Sequence, residues 1–185
     1  MLLDTLKYIA DKLNKENILW AVGASVLLNS YGLVECPNDI DIIVDIKDIK
    51  KVDELLKGLG TKKSREGMET YATRYFYEYV INDVDIDVMA GFIINFPGGR
   101  FEYIFDEKSI TDVRSINGVD IPYTSLEDWY VIYQLIPNRE ARVEIIEKYL
   151  ICNGIRNMDI LCRVLTDNLP SEVRNRVQKM IIHSC

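Results

Sequence analysis

The sequence contains very little histidine and cysteine, the side chains that most zinc sites and thiol-based enzymes require. Its 185 residues include a single histidine, His183, two positions before the C-terminus. The four cysteines, Cys36, Cys152, Cys162 and Cys185, form no C-x-x-C pair and lack the spacing of a disulfide framework. These scarcities argue against a histidine-based nucleophile relay, a histidine-ligated zinc site and a disulfide-stabilised secreted domain.

Basic residues are outnumbered by acidic ones, and long apolar runs are scarce as well. The chain carries 22 Lys and Arg against 29 Asp and Glu, a net charge of −7. This balance argues against a chain held mainly by general attraction to nucleic-acid phosphates or to a membrane surface. No apolar run approaches the ~18 residues of a membrane span, and the amphipathic start is unlike a signal peptide. We therefore expect a soluble, cytoplasmic enzyme or binding domain.

The spacing of apolar residues predicts an α/β (α+β) fold, a mixed β-sheet flanked by helices and followed by a C-terminal helical region. The predicted strands cover 18–22, 39–44, 71–81, 84–89, 92–96, 101–105, 112–116 and 119–122. The predicted helices cover 2–14, 26–31, 48–58, 125–136, 138–152, 156–166 and 171–183, and Cys152 and Cys162 are predicted to be buried in them. We predict one domain over 1–123 and a helical region over 124–185 that packs on it.

The negative charge is concentrated in two short segments. Residues 1–136 contain 23 acids and 14 bases, a net charge of −9, whereas residues 137–185 carry +2. Nine of the 23 acids lie in residues 39–54 and 83–87, and each of these segments includes a predicted strand. This concentration requires an explanation.

Alternation along a strand places the acids of each segment on one face. Asp39 and Asp41 project the same way, about 6.6 Å apart along the strand, and Asp85 and Asp87 do so on the second strand. If the two strands are neighbours, these carboxylates converge, and the cost of their repulsion is relieved by an oxygen-loving cation such as Mg²⁺ or Mn²⁺. The alternative is a half-exposed sheet with polar side chains facing water, although Asp is unfavourable in strands.

The turn Gly23-Ala24-Ser25 lies between a predicted strand and a predicted helix. Free backbone N–H groups at the start of such a helix can bind a phosphate, and Ser25 adds a hydroxyl donor. The alternative is an ordinary strand–helix turn, in which glycine and an N-cap serine are common. The order of the motifs is more informative than the turn alone: a turn, a helix, an Asp-x-Asp strand and then a carboxylate on a later strand.

This order resembles the DNA polymerase beta-like nucleotidyltransferase superfamily over roughly residues 1–150, and in particular its small bacterial members, including antibiotic-modifying and toxin-type enzymes. The matching residues are Val22-Gly23-Ala24-Ser25, Asp39-Ile40-Asp41 and Asp87 within Ile86-Asp87-Val88-Met89-Ala90-Gly91. The resemblance implies that Asp39 and Asp41 hold two Mg²⁺ (or Mn²⁺) ions, and that Gly23, Ala24 and Ser25 contact the triphosphate. The third carboxylate, Asp87 with Asp85 as the runner-up, would bind the catalytic metal and deprotonate the acceptor.

The implied reaction moves a nucleoside monophosphate from a nucleoside triphosphate such as ATP to a hydroxyl acceptor. The acceptor could be a small molecule such as an antibiotic, an RNA or a protein, and a second copy of the chain could complete the cleft as a homodimer. Two departures from the family pattern occur, and the missing lysine favours an alternative, a non-catalytic nucleotide-binding or interaction module, whereas the three retained carboxylates argue against it. Cys36-Pro37-Asn38 precedes Asp39 where small members carry Arg or Thr, and Gln134 stands where many have a lysine. Arg139 or Arg142 could replace that lysine.

Overall fold

A computed structural model describes residues 1–64 and 72–183 of the chain. Tyr71, the predicted first residue of one strand, lies outside the described residues. The helices are α1 (Leu2–Lys15), α2 (Ala24–Ser30), α3 (Ile49–Lys57), α4 (Leu126–Leu135), α5 (Glu140–Asn153), α6 (Met158–Val164) and α7 (Ser171–Ile182). The strands are β1 (Trp20–Val22), β2 (Asp39–Val44), β3 (Thr61–Lys62), β4 (Tyr75–Ile81), β5 (Val84–Ala90), β6 (Ile93–Phe96), β7 (Gly99–Glu102), β8 (Asp112–Ile116) and β9 (Val119–Tyr123).

Seven of these strands form one mixed sheet in the order β3-β4-β5-β2-β1-β9-β8, and β6 and β7 form a separate hairpin. β2 is parallel to β5 and β1 is parallel to β9, whereas the other neighbours in the sheet are antiparallel. The predicted fold class, a mixed sheet flanked by helices, is therefore confirmed. In the part of the chain that the structure describes, no helix has the length and apolar character needed to cross a membrane.

Two short turns set the register of the hairpins in the sheet. Asn82 and Asp83 have φ angles of 51° and 59°, the left-handed conformation that a two-residue type I′ turn requires. Consequently Ile81 pairs with Val84, and the pairing of β4 with β5 continues from there. Asn117-Gly118 forms the corresponding turn between β8 and β9.

Helices cover both faces of the sheet. On one face, α1 and α3 pack against the strands, and Tyr79 of β4 donates a hydrogen bond from its hydroxyl to Asp53 of α3. On the other face, α2 lies beside β2 and contacts α4. The apolar side chains between these layers belong to one core cluster, which extends into α5, α6 and α7.

Several observed elements differ from the predicted ones, and β1, β4, α5 and α6 begin later than predicted. The two-residue strand β3 was not predicted, because so short an edge strand leaves little sequence signal. β7 begins at Gly99 and ends at Glu102, earlier than the predicted 101–105, because the turn at Pro97-Gly98 pairs Phe96 with Gly99. The prediction that Cys152 and Cys162 are buried is wrong: both lie on exposed faces of their helices.

Asp53 offers a test of the packing between α3 and the sheet. Its carboxylate accepts hydrogen bonds from Lys57 (2.7 Å), Lys62 (2.6 Å) and Tyr79 (2.5 Å). Burial raises its pKa, but these three hydrogen bonds outweigh burial and lower the pKa from 3.8 to about 2. A carboxyl group with a lower pKa in the folded state stabilises the fold at neutral pH, and this contribution is lost as the pH falls from about 4 through about 2.

We therefore expect Asp53→Asn to reduce the free energy of unfolding by at most about 2 kcal/mol at pH 7, since Lys57 is half exposed and solvent weakens its pairing. The difference from the wild type should shrink towards zero near pH 2. Urea unfolding of both proteins across this pH range measures it. A difference that does not change with pH would contradict the assigned role of the carboxylate.

Candidate active site

The pairing of β2 with β5 brings the two predicted carboxylate motifs together. In this parallel register, Asp39 lies opposite Asp85 and Asp41 lies opposite Asp87. Neighbouring strands are about 4.8 Å apart, so the side chains of Asp41 and Asp87 start from adjacent positions on the same face. The condition on which the sequence argument depended, that the two acidic strands are neighbours, is met.

A cavity of about 400 Å³ opens over this face of the sheet, within the size range of small-molecule sites. The candidate residues Ala24, Ser25, Asp39, Asp41 and Asp87 all line it. The rest of the lining comes from both strands and helices: Asn38, Phe76, Glu78, Met89, Phe92, Trp129, Tyr133, Ile136, Arg139 and Arg142. The cavity thus has an acidic wall on the sheet and a mixed aromatic and basic wall on α4 and α5.

The runner-up carboxylate, Asp85, lies outside this lining. Its side chain is 58% exposed, and Oδ1 accepts a hydrogen bond of 2.5 Å from Lys63. The structure therefore places Asp87 in the lining of the cavity with Asp39 and Asp41. Asp85 is paired with Lys63 outside that lining.

The electrostatics of the cavity are unfavourable for the carboxylates. Burial raises the pKa of Asp41 well above its ordinary value, and the neighbouring charges of Asp39 and Asp87 raise it further, whereas Arg139 acts in the opposite direction. Carboxylate oxygens are the ligands that Mg²⁺ and Mn²⁺ prefer. The donor chemistry therefore fits such a cation. The described side chains include no group of three His, Cys, Asp or Glu residues already arranged to hold a metal ion.

The turn between β1 and α2 is hydrogen-bonded to the Asp-x-Asp strand. The backbone N–H of Gly23 donates to the carbonyl of Asp41 at 3.1 Å. Ser25 Oγ donates to Asp39 Oδ1 at 3.1 Å. Gly23 and Ser25 are therefore held beside both acids of the motif, and the Ser25 hydroxyl reaches the cavity.

The need for glycine at position 23 comes from α4. A Cβ atom on Gly23 would lie 2.3 Å from Cζ2 of Trp129, far inside van der Waals contact. Trp129 is held in place because its indole N–H donates to Thr124 Oγ1 at 2.9 Å, and Thr124 Oγ1 donates to the carbonyl of Val22 at 3.1 Å. The indole thus closes the cavity directly above the turn.

Several lining residues were missed by the reasoning from sequence. Glu78 could have been found, because the two-residue turn at Asn82-Asp83 fixes the register that places it opposite Asp87. Asn38 entered the sequence analysis only as part of a departure from the family pattern. Four apolar lining residues have no sequence feature that distinguishes them from residues of the hydrophobic core: Phe76, Met89, Phe92 and Ile136.

The position of Gln134 follows from its helix. Its side-chain amide donates to the carbonyl of Tyr130 at 2.9 Å, and it is absent from the described lining of the cavity. Arg139 and Arg142, which the sequence suggested as substitutes for the missing lysine, do line it.

Comparisons with known proteins agree with this fold. No protein-family model and no curated protein matches the sequence. Among solved structures, a proposed nucleotidyltransferase from Thermotoga maritima is 25% identical, with a TM-score of 0.62 over 80% of this chain and 91% of that one. The protein ANT(2″)-Ia, in complex with adenylyl-2″-tobramycin, is 13% identical, with a TM-score of 0.53 over 96% of this chain and 95% of that one.

The lincosamide antibiotic adenylyltransferase LnuA, with lincomycin bound, is 17% identical, with a TM-score of 0.53 over 78% of this chain and 95% of that one. The fold is therefore that of the nucleotidyltransferases, and the predicted resemblance to the polymerase beta-like superfamily is confirmed. The prediction that the chain is an enzyme of this class agrees with the same likenesses.

The contact between Gly23 and Trp129 predicts the effect of adding one methyl group. Gly23→Ala should lower the free energy of unfolding by about 1–3 kcal/mol, because the indole must move out of a packed position. Gly58→Ala is a matched control, since the added Cβ would meet its nearest atom at 3.3 Å and the φ of Gly58 is −74°. Equal stability of the two variants in urea unfolding would show that the indole moves freely.

At position 24, a change to glycine is expected to stabilise the fold. Its φ is +42°, a left-handed conformation that costs a residue with a Cβ roughly 1–2 kcal/mol. Ala24→Gly should therefore raise the melting temperature. Ala141→Gly, at an exposed position in α5, should lower stability by about 0.5–1 kcal/mol. Differential scanning calorimetry of the two variants measures both signs, and a loss of stability in both would rule out strain at Ala24.

Proposed function

We propose that the protein is a metal-dependent nucleotidyltransferase, which moves a nucleoside monophosphate from a nucleoside triphosphate to a hydroxyl acceptor. The nucleotidyltransferase fold supports transfer of this general kind. The observation that carries the proposal is the register of β2 against β5, which sets Asp41 beside Asp87 in a cavity that Asp39 and Ser25 also line. The metal, the nucleotide and the acceptor belong to the proposal.

The charges of the cavity support the part of the proposal that involves a divalent cation. A triphosphate carries about four negative charges at neutral pH, and it would approach three carboxylates that already repel one another. In our proposal, Asp39 and Asp41 hold Mg²⁺ or Mn²⁺ together with the triphosphate, and Asp87 is a further ligand. The bound cation neutralises charge that develops on the phosphoryl oxygens.

The proposed step is an in-line displacement at the α-phosphorus. The acceptor hydroxyl oxygen forms a bond to the α-phosphorus, and the bond between that phosphorus and the oxygen bridging to the β-phosphate breaks. Pyrophosphate leaves with the bonding electrons, and the hydroxyl proton passes to the carboxylate of Asp87. Gly23, Ala24 and Ser25 contact the phosphates, so the contribution of the chain is alignment and charge stabilisation.

The acceptor that we favour is a small, positively charged molecule with a free hydroxyl group, and an antibiotic is one example. The cavity offers Glu78 and the aromatic side chains of Phe76, Phe92 and Tyr133 beside the reacting carboxylates. Two of the similar structures are of proteins bound to an adenylylated aminoglycoside and to lincomycin. The assay described below also includes RNA ends and protein hydroxyl groups as acceptors.

A second candidate function is favoured by one observation. Gln134 stands where a lysine would supply a cation, and its amide is turned to the carbonyl of Tyr130. A non-catalytic module would bind the nucleotide and release no pyrophosphate. The same assay separates the two functions.

The proposal predicts opposite effects of Asp41→Asn on stability and on activity. Without metal, the variant should melt at a higher temperature than the wild type, because it removes one of three repelling carboxylates. Its rate of pyrophosphate release should fall by at least about 100-fold, because a ligand of the cation is lost. Labelled nucleoside triphosphates with a panel of small-molecule, RNA and protein hydroxyl acceptors measure the rate.

Asp87→Asn and Asp85→Asn distinguish the two candidates for the third carboxylate. The proposal expects loss of activity in the first variant and retention in the second, since Asp85 pairs with Lys63 outside the cavity. The reverse result would reassign the role to Asp85.

Nucleotide binding is tested by thermal melting. ATP with Mg²⁺ or Mn²⁺ should raise the melting temperature of the wild type but not that of Asp39→Asn/Asp41→Asn. Nucleotide binding without pyrophosphate release for any acceptor would support the non-catalytic module instead.

A further inference from the structure

The register of three neighbouring strands aligns four residues in one row across the cavity. Asp41 of β2 lies opposite Asp87 of β5, and Asp87 lies opposite Glu78 of β4. At the other end of the row, the backbone N–H of Gly23 donates to the carbonyl of Asp41. Because neighbouring strands are about 4.8 Å apart, the row runs in equal steps from the turn after β1 to Glu78.

The side chain of Glu78 faces the cavity. It lines the cavity together with Asp41 and Asp87, whereas the next residue of β4, Tyr79, points to the opposite face and donates to Asp53. Glutamate is one methylene longer than aspartate, so the Glu78 carboxylate can extend farther from the sheet than that of Asp87. The two carboxylates can therefore contact different atoms of one bound molecule.

The stability of the sheet does not explain Glu78. Glutamate is unfavourable in strands, and like charges directly opposite each other destabilise a sheet. Lys63 extends the row beyond Glu78, since its backbone N–H donates to the Glu78 carbonyl at 2.8 Å, but its ammonium group pairs with Asp85 and affects Glu78 only electrostatically. Within residues 1–64 and 72–183, the half-buried Glu78 carboxylate has no hydrogen bond or ion pair.

In the proposed reaction, the row gives the acceptor a direction. The phosphates lie at the turn that contains Gly23, and Asp87 takes the proton of the acceptor hydroxyl. In-line attack places that hydroxyl on the side of the α-phosphorus opposite the leaving pyrophosphate. The rest of the acceptor therefore extends from Asp87 away from the turn, which is towards Glu78.

We propose that Glu78 is a specificity-determining residue, which selects acceptors with a protonated amino group on a carbon next to the one that bears the reacting hydroxyl. This inference rests on the proposed function. The hydroxyl contacts Asp87, and the ammonium group donates a hydrogen bond to Glu78, one strand away. A single strand spacing suits two groups on adjacent carbons, and a charge-assisted hydrogen bond is about twice as strong as a neutral one.

The charges of the row favour an ammonium group over a second hydroxyl group. An ammonium group beside Glu78 and Asp87 offsets the repulsion between their carboxylates, which a neutral hydroxyl does not. The proposed metal lies at Asp39 and Asp41, and thus at the other end of the row. Aromatic faces attract cations as well, and Phe76, two positions before Glu78 on the same face of β4, lines the cavity.

The test compares three sugars that differ in the group on carbon 2: an ammonium in glucosamine, an amide in N-acetylglucosamine and a hydroxyl in glucose. Ligand-observed NMR measures their dissociation constants for the full chain, with Mg²⁺ and a non-hydrolysable ATP analogue. The wild type should bind glucosamine roughly tenfold more tightly than the other two sugars. Glu78→Gln should bind all three within about twofold.

Two further variants sharpen the comparison. Glu78→Asp keeps the charge on a shorter side chain and should retain part of the preference for glucosamine. Glu144→Gln is the matched control, because it removes an exposed carboxylate of α5 outside the cavity, and it should retain the full preference. A wild type that does not bind glucosamine, or a preference that persists in Glu78→Gln, would overturn the inference.

Thermal melting and kinetics separate selection of the acceptor from a structural role. Glu78→Gln should melt at the same temperature as the wild type or slightly higher, because a like charge opposite Asp87 is removed. In the assay of pyrophosphate release, the variant should lower kcat/KM for glucosamine roughly tenfold more than kcat/KM for glucose. A lower melting temperature with an unchanged preference would overturn the inference and assign Glu78 to the stability of the sheet.

Failure of the inference and failure of the proposed function give different results. If the wild type and Glu78→Gln both release pyrophosphate equally well with all three sugars, only the role of Glu78 is overturned. If the wild type prefers glucosamine through Glu78 but releases no pyrophosphate with any acceptor, selection of the ammonium group stands and the proposed transfer fails.

Discussion

The parallel pairing of β2 with β5 is the constraint on which the site depends. On the face of these strands that packs against the helices α1 and α3, Ile40, Ile42, Ile86 and Val88 are completely buried, and each contributes about 1.5–3 kcal/mol. A slip of one residue would turn these side chains to the cavity and the acids to the core. The buried face therefore fixes the register, and the opposite face brings its carboxylates together in spite of their repulsion.

Helix α4 forms a second wall over this acidic surface. It is anchored at its start, where Ser125 Oγ accepts from the backbone N–H of Asp128, and Tyr103 of the loop after β7 donates to the Asp128 carboxylate. From this anchor, the helix presents Trp129 over Gly23 and Tyr133 over the carboxylates. The same rigid element then ends in the turn that leads to Arg139. Helix α4 thus positions both the aromatic side chains of the cavity wall and the turn that precedes Arg139.

The sequence contained most of the local information and little of the long-range information. Strand β2 was predicted with its bounds, because strict alternation of Asp and Ile is a strong local pattern. The sequence did not predict that β2 lies beside β5, since pairing between residues 46 positions apart, such as Asp39 and Asp85, depends on the whole sheet and not on either segment. The contact between Gly23 and Trp129 was likewise beyond reach, because it joins residues 106 positions apart. The position of Glu78 could have been predicted, because a two-residue turn fixes its register.

The uneven charge of the sequence has a physical explanation in this arrangement. The excess of acid in residues 1–136 falls on the sheet, and the net positive charge of residues 137–185 begins at Arg139, on the other side of the same cavity. The described lining of the cavity sets two cationic side chains, Arg139 and Arg142, against four acidic ones, Asp39, Asp41, Glu78 and Asp87. A divalent cation, as proposed above, would add positive charge to the acidic wall.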